Sequence, residues 1–179
     1  MENIQPNSFK AWMLAARPKT LTGAAIPVMT GCSLAAMYGH FKIVPAVLCF
    51  LFAFLMQIDA NFVNDLYDFL KGSDRKDRLG PERACSQGWI SQKNMMHGII
   101  ITTILAGISG LSLLFVCGWE IIPVGIACIV FAFLYTAGPY PLAYHGFGDI
   151  LVLLFFGFIP VGCTYYIMAH DWNLSVIMA

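Results

Sequence analysis

The sequence QIDANFVNDLYDFLKGSD, residues 57–74, ends a long apolar run with a cluster of amide and carboxylate side chains. Polar groups within a membrane helix are costly and usually mark a functional site. With about 3.6 residues per helical turn, the spacing of five of these side chains predicts one shared face: Gln57, Asn61, Asn64, Asp65 and Asp68. Asp59 lies nearly opposite this face, so we expect it to be either a separate packing contact or the partner of a neighbouring helix.

The two aspartates of this face predict a bound cation. Asp65 and Asp68 lie one helical turn apart, where they repel each other and lose hydration near lipid. The cluster offers only oxygen ligands, which favour Mg²⁺ over zinc or copper, and Mg²⁺ in proteins is commonly shared with substrate phosphates. The residues therefore predict a Mg²⁺-diphosphate site; the alternative is a solvated helix end whose aspartates face water.

The composition predicts a membrane protein. The chain has 179 residues, of which 59% are hydrophobic and 11% charged, and its formal net charge is zero, so nothing suggests a nucleic-acid partner. Apolar segments long enough to cross a bilayer predict an all-α, polytopic transmembrane helix bundle. We expect a single membrane domain over residues 1–179 with about five membrane helices, at roughly 20–38, 43–70, 92–117, 121–137 and 148–168.

The basic residues predict the orientation of this bundle. Nine of the ten lie in residues 10–19 or 71–93. Because cytoplasmic segments carry an excess of Lys and Arg, the N-terminus and the loop 71–91 are predicted to be cytoplasmic, and the chain to be a multi-pass protein of the cell (inner) membrane.

The loop 71–91 and the start of the fifth helix add candidate site residues. Asp74 offers a further oxygen ligand, and Lys71, Arg78 and Arg83 can neutralise phosphate oxygens. The alternative is that these basic residues only set the orientation. Asp149 begins the fifth helix on the same side, so it can approach the cluster, or it can serve only as a charge matched to the helix dipole.

Five motifs occur along the chain in a fixed order. They are Arg17-Pro18-Lys19-Thr20-Leu21, Asn64-Asp65-x-x-Asp68 with Asp74, Gly72-Ser73-Asp74 to Arg78-x-Gly80-Pro81-x-Arg83, Tyr135-Thr136-x-Gly138-Pro139-x-Pro141-Leu142 and Gly146-x-Gly148-Asp149. Together they resemble the UbiA-type intramembrane aromatic prenyltransferases, and within them the branch that prenylates 1,4-dihydroxy-2-naphthoate in menaquinone synthesis. The resemblance runs from about Lys10 to the end of the chain.

This resemblance implies a reaction and roles for the motif residues. A Mg²⁺-bound polyprenyl diphosphate ionises, the allylic cation alkylates 1,4-dihydroxy-2-naphthoate, and CO₂ is lost to give demethylmenaquinone. By the same resemblance, Mg²⁺ is expected at Asn64, Asp65, Asp68 and Asp74, and the diphosphate at Asn61, Asn64, Lys71, Arg78 and Arg83. The catalytic candidates are Asp65, Asp68, Tyr135 and Asp149, with Tyr135 and Tyr140 shielding the cation by their π faces.

The family pattern extends further than this sequence. Members have about nine membrane helices and a second Asp-rich motif after the fifth crossing, and these 179 residues contain neither. We therefore expect the chain to correspond to the N-terminal part of such a bundle, with a possible missing C-terminal half. Two alternatives stay open: a prenyltransferase for another aromatic acceptor such as 4-hydroxybenzoate, and a fragment of a divalent-cation-binding membrane transporter.

Overall fold

The computed structural model describes residues 4–72, 82–137, 142, 146, 148–172 and 176. Helices dominate this part of the chain, and it contains no β-strand. The candidate site residues Asp74 and Arg78, together with Tyr140, lie outside the described residues.

Five helical segments are long and apolar enough to cross a membrane, as the sequence predicted. They are Pro18–Met37, Ile43–Leu70, Gln92–Cys117, Trp119–Thr136 and Gly148–Ala169. Each lies within a few residues of its predicted bounds, and the second and third coincide with the prediction.

We number the α-helices in chain order. They are α1 (Phe9–Ala16), α2 (Pro18–Met37), α3 (Ile43–Leu70), α4 (Gln92–Ser112), α5 (Leu114–Cys117), α6 (Ile122–Thr136), α7 (Gly148–Leu153) and α8 (Ile159–Ala169). A 3₁₀ turn, Trp119–Ile121, leads into α6, and a π-helical turn, Leu154–Phe158, joins α7 to α8.

The helix boundaries follow from local chemistry. The hydroxyl of Ser8 accepts a hydrogen bond from the N–H of Ala11 and begins α1, and Ser91 begins α4 in the same way through the N–H of Asn94, as expected for N-cap residues. Arg17 adopts a left-handed conformation (φ 52°), which ends α1, and Pro18 begins α2 at a position where its missing N–H costs nothing.

The 28-residue helix α3 lies at the centre of the fold and packs against α1, α2, α4, α6 and α8. An outward face of α4 is apolar and exposed, as expected for a helix that contacts lipid; it includes Ile100, Ile104, Ile108 and Leu111.

Two buried cores lie along the length of α3. The first joins α2, α3 and α8 and includes Val28, Ala35, Cys49, Leu113, Val161, Tyr165 and Met168. The second lies where α3 ends and α4 begins, and includes Ala11, Ala15, Phe62, Leu66, Ala84, Cys85, Ile90, Met95 and Ile99. We call the region around this second core the loop end of the bundle. Residues 82–91, predicted as part of a loop, form turns of which Ala84, Cys85 and Ile90 are buried at the loop end.

Candidate functional site

The polar face of α3 is turned into the protein. Gln57, Asn61, Asp65 and Asp68 are buried, and Asn64 is half-buried. This placement excludes the interpretation of a solvated helix end for four of the five side chains. Their hydrogen bonds show what each one contacts.

The Asp65 carboxylate binds the backbone of the turn that follows Arg83. Oδ2 accepts a hydrogen bond from the N–H of Ala84 at 2.8 Å, and Oδ1 accepts one from the N–H of Cys85 at 3.0 Å. Both bonds are charge-assisted, and the residue is 1% exposed. Asp65 therefore fixes the position of this turn on α3.

Asp68 lies one helical turn further along α3 and pairs with Arg83. The guanidinium Nη2 lies 2.8 Å from Oδ2 of Asp68, and both residues are buried. A buried ion pair of this kind is strongly destabilised when one partner is removed. The two predicted site residues thus contact each other directly.

Asn64 contacts the end of α6. The hydroxyl of the buried Thr136 donates a hydrogen bond to Asn64 Oδ1, and the ammonium group of Lys71 donates one to the backbone oxygen of the same threonine. Thr136 thereby connects two predicted diphosphate ligands. Thr136 belongs to the motif that begins at Tyr135. Its contact with Asn64 depends on the packing of α6 against α3, which no local pattern in the sequence reveals.

Asn61 contacts the junction of α1 and α2. Its Nδ2 donates to the backbone oxygen of Ala16 and to the hydroxyl of Thr20, each at 2.9 Å, and its Oδ1 accepts from Gln57 at 3.3 Å. The amide group therefore joins α3 to the left-handed turn at Arg17.

Asp59 lies on the opposite face of α3 and binds the neighbouring helix α4, which confirms that it has a partner there. Oδ1 accepts hydrogen bonds from the hydroxyls of Thr102 and Thr103. The residue is 0% exposed, and its Oδ2 has no hydrogen-bond partner within the described part of the chain.

A cavity of about 300 Å³ opens between α2, α3, α6 and α8. Its wall is mostly apolar, and Gln57, Asn64 and Tyr135 contribute polar atoms to it. Asn64 therefore lies at once on the polar face of α3 and in the wall of an apolar cavity. Such a cavity suits a long hydrocarbon chain whose polar end lies near Asn64.

Asp149 and Tyr135, the two other described residues that the sequence predicted for the site, make fewer contacts with it. Asp149 is exposed in the first turn of α7 and makes no hydrogen bond or ion pair with the described residues. Tyr135 is half-buried in the cavity wall.

A family model that describes the UbiA prenyltransferase family matches residues 24–179. The chain belongs to this family. The match covers all five candidate membrane spans except the first residues of α2.

Relatives of known name agree with this UbiA assignment. The chain is 39% identical to a 1,4-dihydroxy-2-naphthoate octaprenyltransferase of Escherichia coli, over 99% of this chain and 60% of the relative. A protein of the same name from Haemophilus influenzae is also 39% identical, over 94% and 58%, and one from Mycobacterium tuberculosis is 35% identical, over 92% and 57%. The chain thus spans about 60% of the length of these relatives.

The polar face of α3 in this UbiA-family chain offers side-chain oxygens for a divalent cation, but few of these oxygens lie close together. No group of three His, Cys, Asp or Glu side chains that could hold a metal ion occurs within the described residues. The donor set of Asn64 and Asp68 fits a Mg²⁺ ion that takes its other ligands from water and phosphate oxygens. Asp65 differs in the kind of group that binds it: backbone N–H groups bind both of its oxygens, whereas side chains, those of Thr136 and Arg83, bind Asn64 and Asp68.

Proposed function

We propose that this chain forms the diphosphate-binding end and the prenyl cavity of an enzyme that transfers a polyprenyl group from polyprenyl diphosphate to 1,4-dihydroxy-2-naphthoate. The products are the prenylated naphthoquinol, which is the reduced form of demethylmenaquinone, together with diphosphate and CO₂. One observation carries the proposal: Asn64 lies in the wall of an apolar cavity and, through Thr136, next to Lys71. A substrate with a hydrocarbon tail and an anionic head matches this arrangement, and the names of the relatives supply the acceptor.

The cavity binds the polyprenyl chain. Its wall includes Val28, Phe52, Phe131, Phe155 and Ile159, so an isoprenoid loses contact with water there. The site lies in the plane of the cell membrane, with its polar end facing the cytoplasm, so that a lipid-soluble tail and a charged head are both accommodated.

The loop end binds the diphosphate. Arg83 and Lys71 lie there, and both can donate to phosphate oxygens. Asp68 holds the guanidinium of Arg83 in place before the substrate arrives, which reduces the reorganisation that binding requires. Arg78 is a further contact of this kind, whereas Asn61 already donates both of its N–H groups to Ala16 and Thr20.

Asn64 and Asp68 would hold Mg²⁺, with Asp74 as a further ligand. When bound, the ion would neutralise the charge that develops on the leaving diphosphate. The described residues of this chain orient the head group and keep water away from the reacting carbon. The C–O bond to the diphosphate breaks, a C–C bond forms at the ring carbon that carries the carboxylate, and the carboxylate leaves as CO₂.

Tyr135 is proposed to act beside the reacting carbon. It lines the same cavity as Asn64, and the π face of its ring can stabilise positive charge and exclude water that would otherwise yield a prenyl alcohol. Asp149, exposed in the first turn of α7, is proposed as an acidic group that the aromatic acceptor meets on its way to the site.

The direct test is an acceptor assay in membranes that contain the protein. Labelled octaprenyl diphosphate and Mg²⁺ are supplied with either 1,4-dihydroxy-2-naphthoate or 4-hydroxybenzoate, and the lipid products are separated and identified by mass. We expect a prenylated naphthoquinol with loss of CO₂, and no product after chelation of Mg²⁺. Preferential prenylation of 4-hydroxybenzoate would refute the naphthoate assignment. The transporter alternative predicts no prenylated product with either acceptor, and no observation favours it.

A further inference from the structure

Asp65 and Asp68 lie one helical turn apart but have different surroundings. Asp65 binds two backbone N–H groups with its two oxygens, at 2.8 Å and 3.0 Å. Asp68 binds a side chain, the guanidinium of Arg83. A side chain can rotate to release a carboxylate, whereas the backbone of a packed turn cannot.

The turn that Asp65 binds belongs to a packed core. Ala84 and Cys85 are 1% and 5% exposed and pack in the same core as Phe62 and Leu66 of α3. None of these residues, nor Asp65 itself, lines the cavity, whereas the adjacent Asn64 does. Asp65 therefore faces the second core and, unlike Asn64, does not reach the cavity that is proposed to hold the prenyl chain.

We propose that Asp65 is a positioning residue, which fixes the turn 83–90 on α3 and is a ligand of neither the metal nor the diphosphate. The inference deepens the proposed function and rests on it for the role of Arg83. Arg83 directly precedes Ala84, so the two hydrogen bonds to Asp65 set the position from which its guanidinium reaches Asp68 at 2.8 Å. The acidic residues of the motif thus have separate tasks.

Asparagine cannot take over this task, although it has the same shape. Its side chain has one acceptor oxygen, and its NH₂ group would face a backbone N–H donor. An Asp65→Asn variant therefore loses at least one of the two hydrogen bonds and frees the turn. Asp68→Asn is the matched control, because it removes the same charge from the same helix and leaves both backbone hydrogen bonds in place.

Hydrogen–deuterium exchange of the purified full chain measures these hydrogen bonds directly. We expect the amides of Ala84 and Cys85 to exchange at least about tenfold faster in Asp65→Asn than in the wild type, and to stay protected in Asp68→Asn. Protection of residues 99–109 in α4 reports that each variant is folded. Unchanged exchange of Ala84 and Cys85 in a folded Asp65→Asn protein would overturn the proposal.

Binding of Mn²⁺, a spectroscopic substitute for Mg²⁺, distinguishes a residue that is a metal ligand from one that only positions another residue. Its binding in the presence of inorganic diphosphate, followed by electron paramagnetic resonance, should weaken at least about tenfold in Asp68→Asn and change less than about threefold in Asp65→Asn. A loss in Asp65→Asn equal to that in Asp68→Asn would show that Asp65 is a ligand.

A measurement on the wild-type protein applies even where a variant does not fold. Addition of Mn²⁺ and inorganic diphosphate should leave the amides of Ala84 and Cys85 protected. Faster exchange on addition would show that the metal recruits Asp65, and would overturn the proposal. Because exchange does not depend on turnover, a protein that protects these amides but fails the acceptor assay would refute the proposed function and not the anchoring role.

Discussion

The hydroxyl of Thr136 donates a hydrogen bond to Oδ1 of Asn64, which joins the end of α6 to the polar face of α3. Asn64 also forms part of the cavity wall, so the orientation of its amide depends on a residue of another helix. Thr136 belongs to the turn that ends the fourth membrane span. The sequence places the two residues 72 positions apart, and packing brings them together.

We expect Thr136→Val to lower kcat/KM for polyprenyl diphosphate about tenfold, because loss of one hydrogen bond at a buried polar group costs about 1–3 kcal/mol and about 1.4 kcal/mol is a factor of ten. Thr136→Ser is the control, since it keeps the hydroxyl. The bond from Lys71 to the backbone oxygen of residue 136 is available in both variants. Equal kinetics for the valine variant and the wild type would contradict a role for this hydroxyl.

Asn61→Leu should destabilise the protein by about 1–3 kcal/mol, because the junction of α1 and α2 then loses two hydrogen bonds and Gln57 loses its acceptor. Thr20→Val removes only one of these bonds and should have a smaller effect. Thermal unfolding of the detergent-solubilised variants measures both. A leucine variant as stable as the wild type would show that Asn61 does not anchor this junction.

Asp59→Asn should be as stable as the wild type or more so. The side-chain oxygen of asparagine can still accept from Thr102 and Thr103, and the variant no longer buries a carboxylate, whose charge is costly to remove from water. Asp59→Ala should be less stable, because both hydroxyls lose this acceptor and a cavity forms. A lower unfolding temperature for Asp59→Asn than for Asp59→Ala would contradict this account.

Gly31→Ala should destabilise the contact between α2 and α8. A Cβ at position 31 would lie 2.7 Å from both the Cβ of Thr164 and the backbone oxygen of Val161, closer than packing allows. Such overpacking typically costs about 1–3 kcal/mol. Gly23→Ala in the same helix is the matched control, because nothing lies within 4 Å of the Cβ it adds, and it should be neutral or stabilising. Equal unfolding temperatures for the two variants would argue against close packing at Gly31.

The five membrane segments could be predicted from the sequence because hydrophobicity and length decide them. The long apolar run before Gln57 predicts the bounds of the second membrane segment, and the N-cap residue Ser91 predicts the start of the third. The structure confirms both. The start of α2 at Pro18 likewise follows from a local rule about how helices begin, whereas the positive φ of Arg17 does not, because a residue before proline favours an extended conformation.

The contacts of the site could be predicted only in part. The helical period placed Asn61, Asn64, Asp65 and Asp68 on one face, which the structure buries except for the half-buried Asn64, but it carries no information on what that face contacts. The partners are the backbone N–H groups of Ala84 and Cys85 and the hydroxyl of Thr136, which depend on tertiary packing. The catalytic and binding roles assigned to all of the site residues stay predictions; Asp149 is exposed, and Asp74 lies outside the described residues.

The most direct test of the account is the rate of prenyl transfer to 1,4-dihydroxy-2-naphthoate by Asp68→Asn. Asp68 holds Arg83 and is proposed to bind the Mg²⁺-diphosphate, so its charge is needed when the leaving group departs. We predict a loss of at least about 100-fold, the usual effect of removing one electrostatic group from such a site. Asp59→Asn, on the opposite face of the same helix, should keep normal turnover. Normal turnover by a folded Asp68→Asn protein would contradict the account.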